Sequence, residues 1–295
     1  MDVHLRDLRY FVAVAEELHF TRAAEREFVS QPVLSRQIAR LEADLRITLL
    51  ERTRRTVSLT PAGVELLEHA RRLLQAWDTA QRATSDASAA AEATLRIGMQ
   101  TSIGRGLLED FVTRFKQRRP NWSIEVTQIN WDDPTAGVRS SNTDIGFCWL
   151  PLPDPDPYET IIVATELRLL AVSSNHELAR QTAVDFAEIE HLPLIALPAT
   201  AGVLRDHWLA QDHRSTPANV CTTATNAESA LELVANGIGS VLIAAGNAEI
   251  YNRPGISYIT VNGISNSNLA VIWRRDDHRT VIRDIADIVI GSADP

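Results

Sequence analysis

The chain has 295 residues, 45% hydrophobic and 23% charged, the profile of a soluble globular protein of two or three domains. No apolar run approaches the roughly 20 residues of a membrane span, and Met1 to Arg6 lack a signal-peptide pattern, so the expected location is the cytoplasm, with no membrane partner. The net charge of −9 is unevenly spread: between Arg36 and Arg55 stand Arg36, Arg40, Arg46, Arg52, Arg54 and Arg55 against Glu42, Asp44 and Glu51, whereas the acidity lies mostly after Ala91. A small basic module attached to a larger acidic one is implied. Cys148 and Cys221 are far apart, with no CxxC or Cys/His cluster, so buried free thiols are expected and neither a metal nor another cofactor.

In chain order, Leu5, Leu8, Phe11, Val12 and Ala15 follow i, i+3, i+4 spacing and predict an amphipathic helix ending near His19. Thr21 is placed to cap a short second helix through Ala23 and Ala24. A third begins at Ser30 or Gln31, with Pro32 tolerated in its first turn. Leu34, Ile38, Leu41 and Leu45 form its buried stripe, while Pro32, Ser35, Arg36 and Ala39 face outward with Gln31 at the tip. A face that is small, polar and cationic suits a major groove, where Gln pairs with adenine and Arg with guanine. The ordinary alternative is a solvated surface helix. A short turn between the two helices makes a helix-turn-helix, and the extended segments Leu49 to Arg52 and Thr56 to Leu59 predict a hairpin with arginines at its tip, a wing directed at phosphates or a narrow minor groove.

Thr60 and Pro61 restart helix, in which Leu67, Ala70, Leu74 and Trp77 form a short seam for pairing with a second copy. Ser85 to Glu92, without large apolar residues, is expected to be a linker. Beyond it, strands are expected at Thr94 to Met99, Ser123 to Ile129, Asp144 to Cys148, Ile161 to Val163, Leu167 to Val172, Leu194 to Leu197, Gly239 to Ile243 and Leu269 to Trp273. Helices are expected around Leu107 to Phe115, Pro134 to Ser140, Val184 to Ile189, Gly202 to Leu209, Ala227 to Asn236 and Thr280 to Ile290. The alternation implies a parallel α/β arrangement whose ligands bind at strand ends. Two subdomains with a cleft between them bring Thr101, Ser102, Trp131, Trp149 and Thr200 together.

Leu8 to Ala24, with Ser30-Gln31-Pro32, Leu34-Ser35-Arg36-Gln37-Ile38 and Leu49 to Arg55, resembles the LysR-type family of bacterial transcriptional regulators. Val234 to Gly239 and Trp273 to Asp276 are similar to its later signatures, and the phrase Glu16 to Phe20 to its branch controlling aromatic-compound catabolism. The resemblance implies an α/β protein with a winged helix-turn-helix (residues 1–60), a linker helix that dimerises (61–91) and an effector domain (92–295). That domain comprises two α/β subdomains, about 92–162 with 268–295 and about 163–267, like periplasmic solute-binding proteins. Implied partners are double-stranded promoter DNA, RNA polymerase, a small-molecule effector and further copies, as a homodimer and homotetramer that bends DNA. Implied DNA-binding residues are Thr21, Arg22, Gln31, Pro32, Ser35, Arg36, Arg52, Arg54 and Arg55; implied effector residues are Thr101, Ser102, Trp131, Phe147, Trp149, Thr200 and Ser229.

Some positions depart from the family pattern. Arg46 stands where a glycine is usual, and Leu50 replaces a phenylalanine. Trp131 and Trp149 occupy places where the aromatic-catabolism branch keeps a polar residue and an arginine for a carboxylate; Ser102 keeps the usual hydroxyl. Losing the arginine removes a charge-assisted partner for an anion, and two indoles offer stacking faces. The expected effector is therefore less anionic and aromatic, the opposing expectation being tryptophans that only fill the core. An enzyme is disfavoured: there is no GxSxG, HExxH, Walker loop or complete GxGxxG, since Gly237-Ile238-Gly239 lacks the third glycine, and the eight histidines show no metal-ligand spacing. The competing function is a cytoplasmic small-molecule-binding α/β protein whose N-terminal module serves protein interaction.

Overall fold

The computed structural model describes residues 3–52 and 57–290; Arg54 and Arg55 lie outside the described residues. The chain forms two compact units, Met1–Ser85 and Asp86–Pro295.

In the first unit, α1 (Leu5–Glu17), α2 (Phe20–Arg26) and α3 (Gln31–Leu45) pack together. Phe11, Val14, Ala23, Leu34 and Ile38 are completely buried, each large side chain contributing roughly 1.5–3 kcal/mol of transfer free energy. Leu45, the last residue of the expected stripe, is only half-buried. The cap of α2 is His19 rather than Thr21: the His19 ring accepts from the Arg22 N–H. The imidazole nitrogen meets the orphan donor of the first turn before the chain reaches Thr21. At the end of α3, Arg46 takes the left-handed backbone (φ 56°) that a glycine adopts without strain, at a cost of roughly 1–2 kcal/mol, so the turn toward the wing is made without the glycine. The wing is antiparallel, β1 (Leu50–Arg52) against β2 (Val57–Leu59). The Glu42 carboxylate fastens α3 to it by accepting the Leu49 and Leu50 N–H groups at 2.9 and 3.1 Å.

Helix α4 (Pro61–Glu92) starts with Thr60 accepting the Gly63 N–H at 3.0 Å. It continues through Ser85 to Glu92, where a linker is expected, because the alanines that leave this stretch without a core also favour helix most strongly. The residues expected to form a seam with a second copy mostly pack on α1. Ala70 is completely buried and packs with Leu8 and Val12 of α1, flanked by Leu67 and Leu74. Trp77 stays 44% exposed, like Leu73 one turn before it, so most of the expected seam packs on its own domain.

The second unit holds two sheet systems. Strands β3 (Thr94–Met99), β4 (Ser123–Gln128), β5 (Ile145–Trp149) and β6 (Tyr158–Glu166) join β13 (Ser267–Arg274) in the order β4-β3-β5-β13-β6. The expectation of a parallel sheet fails at β13, which is antiparallel to both β5 and β6: it is the chain's return strand, and no crossover helix reverses it. Side chains alternate across this sheet. Ile145, Phe147 and Trp149 share one core with α5 (Leu107–Arg118) and α10 (Thr280–Ile290), whereas Cys148, Ala270 and Ile272 meet Ala136 and Val138 on the other face.

That second face is covered by consecutive turns at 134–141 in place of the expected helix. The Asp133 carboxylate takes the Thr135 and Gly137 N–H groups, and positive φ at Ala136, Gly137 and Ser141 breaks any helical run. The turn lies so close to β3 that a Cβ on Gly98 would collide with the Ala136 carbonyl.

The other system contains β7 (Arg168–Ser173), β8 (Ala183–Asp185), β11 (Val241–Ala244) and β12 (Ile256–Asn262) in the order β11-β7-β12-β8, and a parallel pair of β9 (Leu194–Ala196) and β10 (Val220–Thr223). Helices α6 (Phe186–Ile189), α7 (Val203–Trp208), α8 (Ala227–Ala235) and α9 (Ala245–Ile250) accompany it. Strands β8, β10 and β12 and helix α9 are additional to the elements expected from the sequence, β8 taking the start of the expected helix Val184 to Ile189. The chain passes between the systems at Leu167, since β6 holds it to Glu166, and again between Asn262 and Ser267. Cys148 is buried as expected, but Cys221 on β10 is exposed.

Candidate nucleic-acid interface and effector cleft

On α3, Gln31, Pro32, Arg36 and Ala39 are exposed and Ser35 is half-buried. Three buried aliphatic side chains, Leu34, Ile38 and Leu41, fix the rotation of the helix and so present this face to solvent. Among the described residues Arg36 makes no ion pair or hydrogen bond, whereas Arg40 lies 3.7 Å from Asp44. Arg52 is the last residue of β1. Thr21 is exposed on α2, while Arg22 is tied to Glu17 through its carbonyl at 2.6 Å and its carboxylate at 3.1 Å.

Two apolar residues absent from the sequence-based set adjoin the interface. Phe28, in the turn before α3, has φ 54° and is 79% exposed; Val33 is 41% exposed. A bulky side chain in left-handed backbone is a costly arrangement. Its only sequence signal is an aromatic in the turn between two helices.

In the second unit, a narrow cleft lies between the sheet systems, lined by Trp131, Trp149, Trp208, Gln100, Thr101 and Asn247 together with aliphatic side chains such as Leu197 and Leu231. None of the lining residues is charged. The Trp131 N–H donates to the Thr225 carbonyl at 2.8 Å, joining the two sides. Trp149 and Trp208 meet edge to face, with centroids 5.6 Å apart, and the Arg105 guanidinium lies 5.7 Å from the Trp149 ring centroid. The Trp149 Nε1–H donates to Thr101 Oγ1 at 3.2 Å.

Of the expected effector residues, Thr101, Trp131 and Trp149 converge on this cleft and four do not. Phe147 shares a face with Trp149, but Phe111 of α5 covers it at 6.3 Å. Ser102 offers its N–H to the Tyr251 hydroxyl at 3.0 Å and its side chain is not among the lining groups. Thr200 is turned out to solvent by a 3₁₀ turn at Ala199–Ala201. Ser229 is bound to the Asn226 cap of α8 through both its N–H and its hydroxyl, and the face of α8 that reaches the cleft carries Ala227, Ala230 and Leu231. Trp208 and Asn247 are members that the sequence reading missed. Trp208 had a signal in its rare residue type; Asn247 sits in an unpredicted helix and had none.

Beside the cleft, Arg168 is buried and donates to the Ser265 carbonyl and hydroxyl at 2.7 and 2.9 Å and to the His207 carbonyl. It ties together the two places where the chain crosses. Burial and the Arg168 charge push the His207 ring down to about 4, while its Nε2 pairs with the Ser267 hydroxyl at 2.8 Å. The unfolded chain takes up this proton near 6.5 and the folded chain only near 4. The stabilisation is therefore complete above pH 6.5 and lost as pH falls toward 4. His207→Gln should flatten the pH dependence of the thermal midpoint across that window; an unchanged slope would show that His207 carries none of it.

Residues 88–293 match the LysR substrate binding domain, and residues 5–64 match the bacterial regulatory helix-turn-helix protein of the lysR family. The chain is a LysR-type transcriptional regulator. It is 32% identical over 276 residues to the HTH-type transcriptional regulator BenM of Acinetobacter baylyi, covering 91% of this chain and 90% of BenM. It is 30% identical over 293 residues to the Hca operon transcriptional activator HcaR of Escherichia coli, covering 97% of each. Among solved structures, full-length CbnR complexed with its target DNA aligns over 99% of this chain and 100% of its own, with TM-score 0.53 and 28% identity. Full-length BenM aligns over 98% and 96%, with TM-score 0.53 and 29% identity. In this LysR-type regulator, then, the N-terminal unit carries the helix-turn-helix and the C-terminal domain carries the uncharged cleft. No helix among the described residues is long and apolar enough to cross a membrane.

Proposed function

We propose that this regulator reads promoter DNA with Gln31, Pro32, Ser35 and Arg36, that Arg52, Arg54 and Arg55 hold the backbone or minor groove, and that a neutral aromatic effector in the cleft controls its output. The observation that carries the effector class is the lining itself: three indoles and no charged group. An anion entering it would leave water for a site without a cationic partner, whereas a flat apolar molecule gains stacking area on Trp131, Trp149 and Trp208. The likeness to CbnR, solved in complex with its target DNA, supports the DNA reading.

The protein acts in the cytoplasm, without catalysis of its own, as a dimer and then a tetramer that bends the promoter and alters recruitment of RNA polymerase. Its exposed Leu73 and Trp77, one turn apart on α4, supply the apolar stripe for the second copy. The likeness to HcaR, an operon transcriptional activator, supports activation as the output. Calorimetry with neutral aromatic and dicarboxylated ligands tests the effector class. Neutral compounds are expected to bind more tightly, and tight binding confined to the dicarboxylates would overturn it.

A further inference from the structure

We propose that Thr101 is the group that reads the effector, donating its hydroxyl proton to a neutral acceptor such as a ketone, ester or amide carbonyl on an aromatic ligand. This rests on the cleft being the effector site.

The direction of the proton follows from a chain of hydrogen bonds whose polarity is forced at both ends. The chain begins at Glu166, the last residue of β6 before the crossing at Leu167. Its carboxylate accepts the Gly246 N–H at 2.8 Å and binds the Arg105 guanidinium through Nε and, at 2.8 Å, through Nη2. Gly246 has no side chain, and a Cβ there would collide with that guanidinium. Arg105 Nη2 also reaches Asn247 Oδ1 at 3.1 Å. A guanidinium only donates, so the oxygen of the Asn247 amide must face Arg105 and its NH₂ must face away. That NH₂ donates to Thr101 Oγ1 at 3.1 Å. From the other side, the Trp149 indole N–H, also a pure donor, reaches the same oxygen at 3.2 Å.

Both lone pairs of the Thr101 hydroxyl are thus engaged, and its proton has no acceptor among the described residues. The nearby Gln100 amide is committed, its NH₂ to the Asp133 carbonyl at 3.1 Å and its oxygen to the Trp149 N–H at 3.4 Å. Thr101 is 8% exposed and lines the cleft. A buried hydroxyl in this state favours an acceptor on whatever fills the space beside it. Because its oxygen is saturated, it offers nothing to a ligand donor. Asn247 and Arg105 are positioning residues: they orient this proton without lining up against the ligand's acceptor themselves.

The test uses three aromatic probes of similar size, acetophenone, ethylbenzene and benzoate, titrated calorimetrically into the full-length wild-type protein and into Thr101→Val and Thr101→Ser. Acetophenone is expected to bind about tenfold more tightly than ethylbenzene, the worth of one hydrogen bond to a neutral group in a dry site. Thr101→Val should erase that preference and Thr101→Ser should keep it. If Thr101→Val does not fold, the wild-type comparison and Thr101→Ser still decide. Equal binding of acetophenone and ethylbenzene, or a preference that survives in Thr101→Val, would overturn the hydroxyl's role and leave the neutral aromatic cleft standing. Tightest binding of benzoate, or no binding of any probe, would overturn both.

Discussion

Arg36→Ala should weaken binding to the specific operator by about 1–3 kcal/mol, roughly tenfold to a hundredfold, and relax the preference at one base position. Binding to random duplex should change little. The expectation rests on the exposed position of Arg36 on the outer face of α3 and on its lack of any partner among the described residues, which leaves the whole guanidinium fork for a guanine edge. Arg54→Ala, by contrast, should weaken all sequences alike and lower the salt dependence, as loss of a phosphate contact does. Competition titrations with operator and random DNA at two salt concentrations separate the two. Equal losses on both DNAs for Arg36→Ala would place that side chain on phosphate.

The second large effect is on stability. Asp144 is 1% exposed at the start of β5. It accepts the Arg96 N–H at 2.8 Å, the Arg96 guanidinium at 2.8 Å and the Arg279 guanidinium at 2.7 Å. Asp144→Ala leaves two largely buried guanidinium groups without this carboxylate and should cost about 3–5 kcal/mol, lowering the thermal midpoint of the C-terminal domain by on the order of 10 °C. Asp144→Asn, which keeps acceptor capacity, should cost less. Burial works to raise this carboxyl's pKa, but the hydrogen bonds from Arg96 and Arg279 outweigh it and hold the group below its ordinary 3.8. The stabilisation is therefore present above the unfolded value and lost as pH falls through the folded one. Calorimetric unfolding from neutral pH downward checks the sign. A wild-type acid limb no steeper than that of Asp144→Ala would show that the pairs contribute nothing.

The parts legible in the sequence are those set by local spacing. Leu34, Ile38 and Leu41 recur at helical period, so the rotation of α3, and with it the exposure of Gln31 and Arg36, is determined before any tertiary contact is known. The family resemblance rests on similarly short runs, and the matches to residues 5–64 and 88–293 agree with it. Local reading failed where one pattern serves two outcomes. Ser85 to Glu92 lacks core residues, and such a stretch is equally a loop or a solvated helix; its alanines decide for helix. Leu67, Ala70 and Leu74 form an apolar seam, and spacing alone does not say whether the partner is a second copy or α1.

The cleft shows the same division more sharply. Through its family resemblance the sequence implies that Trp131 and Trp149 stand where a polar residue and an arginine are usual, and hence an effector site without that anion partner. Only the tertiary structure decided which side chains meet those indoles. Thr101, Trp149, Trp208 and Asn247 come from β3's trailing loop, β5, α7 and α9, and each spacing between them is far longer than any helical or strand period. Their convergence depends on two sheet systems joined at Leu167 and at 263–266. The hydroxyl proton of Thr101 is aimed by Arg105 and Glu166, whose role arises from a guanidinium that can only donate and a carboxylate that can only accept.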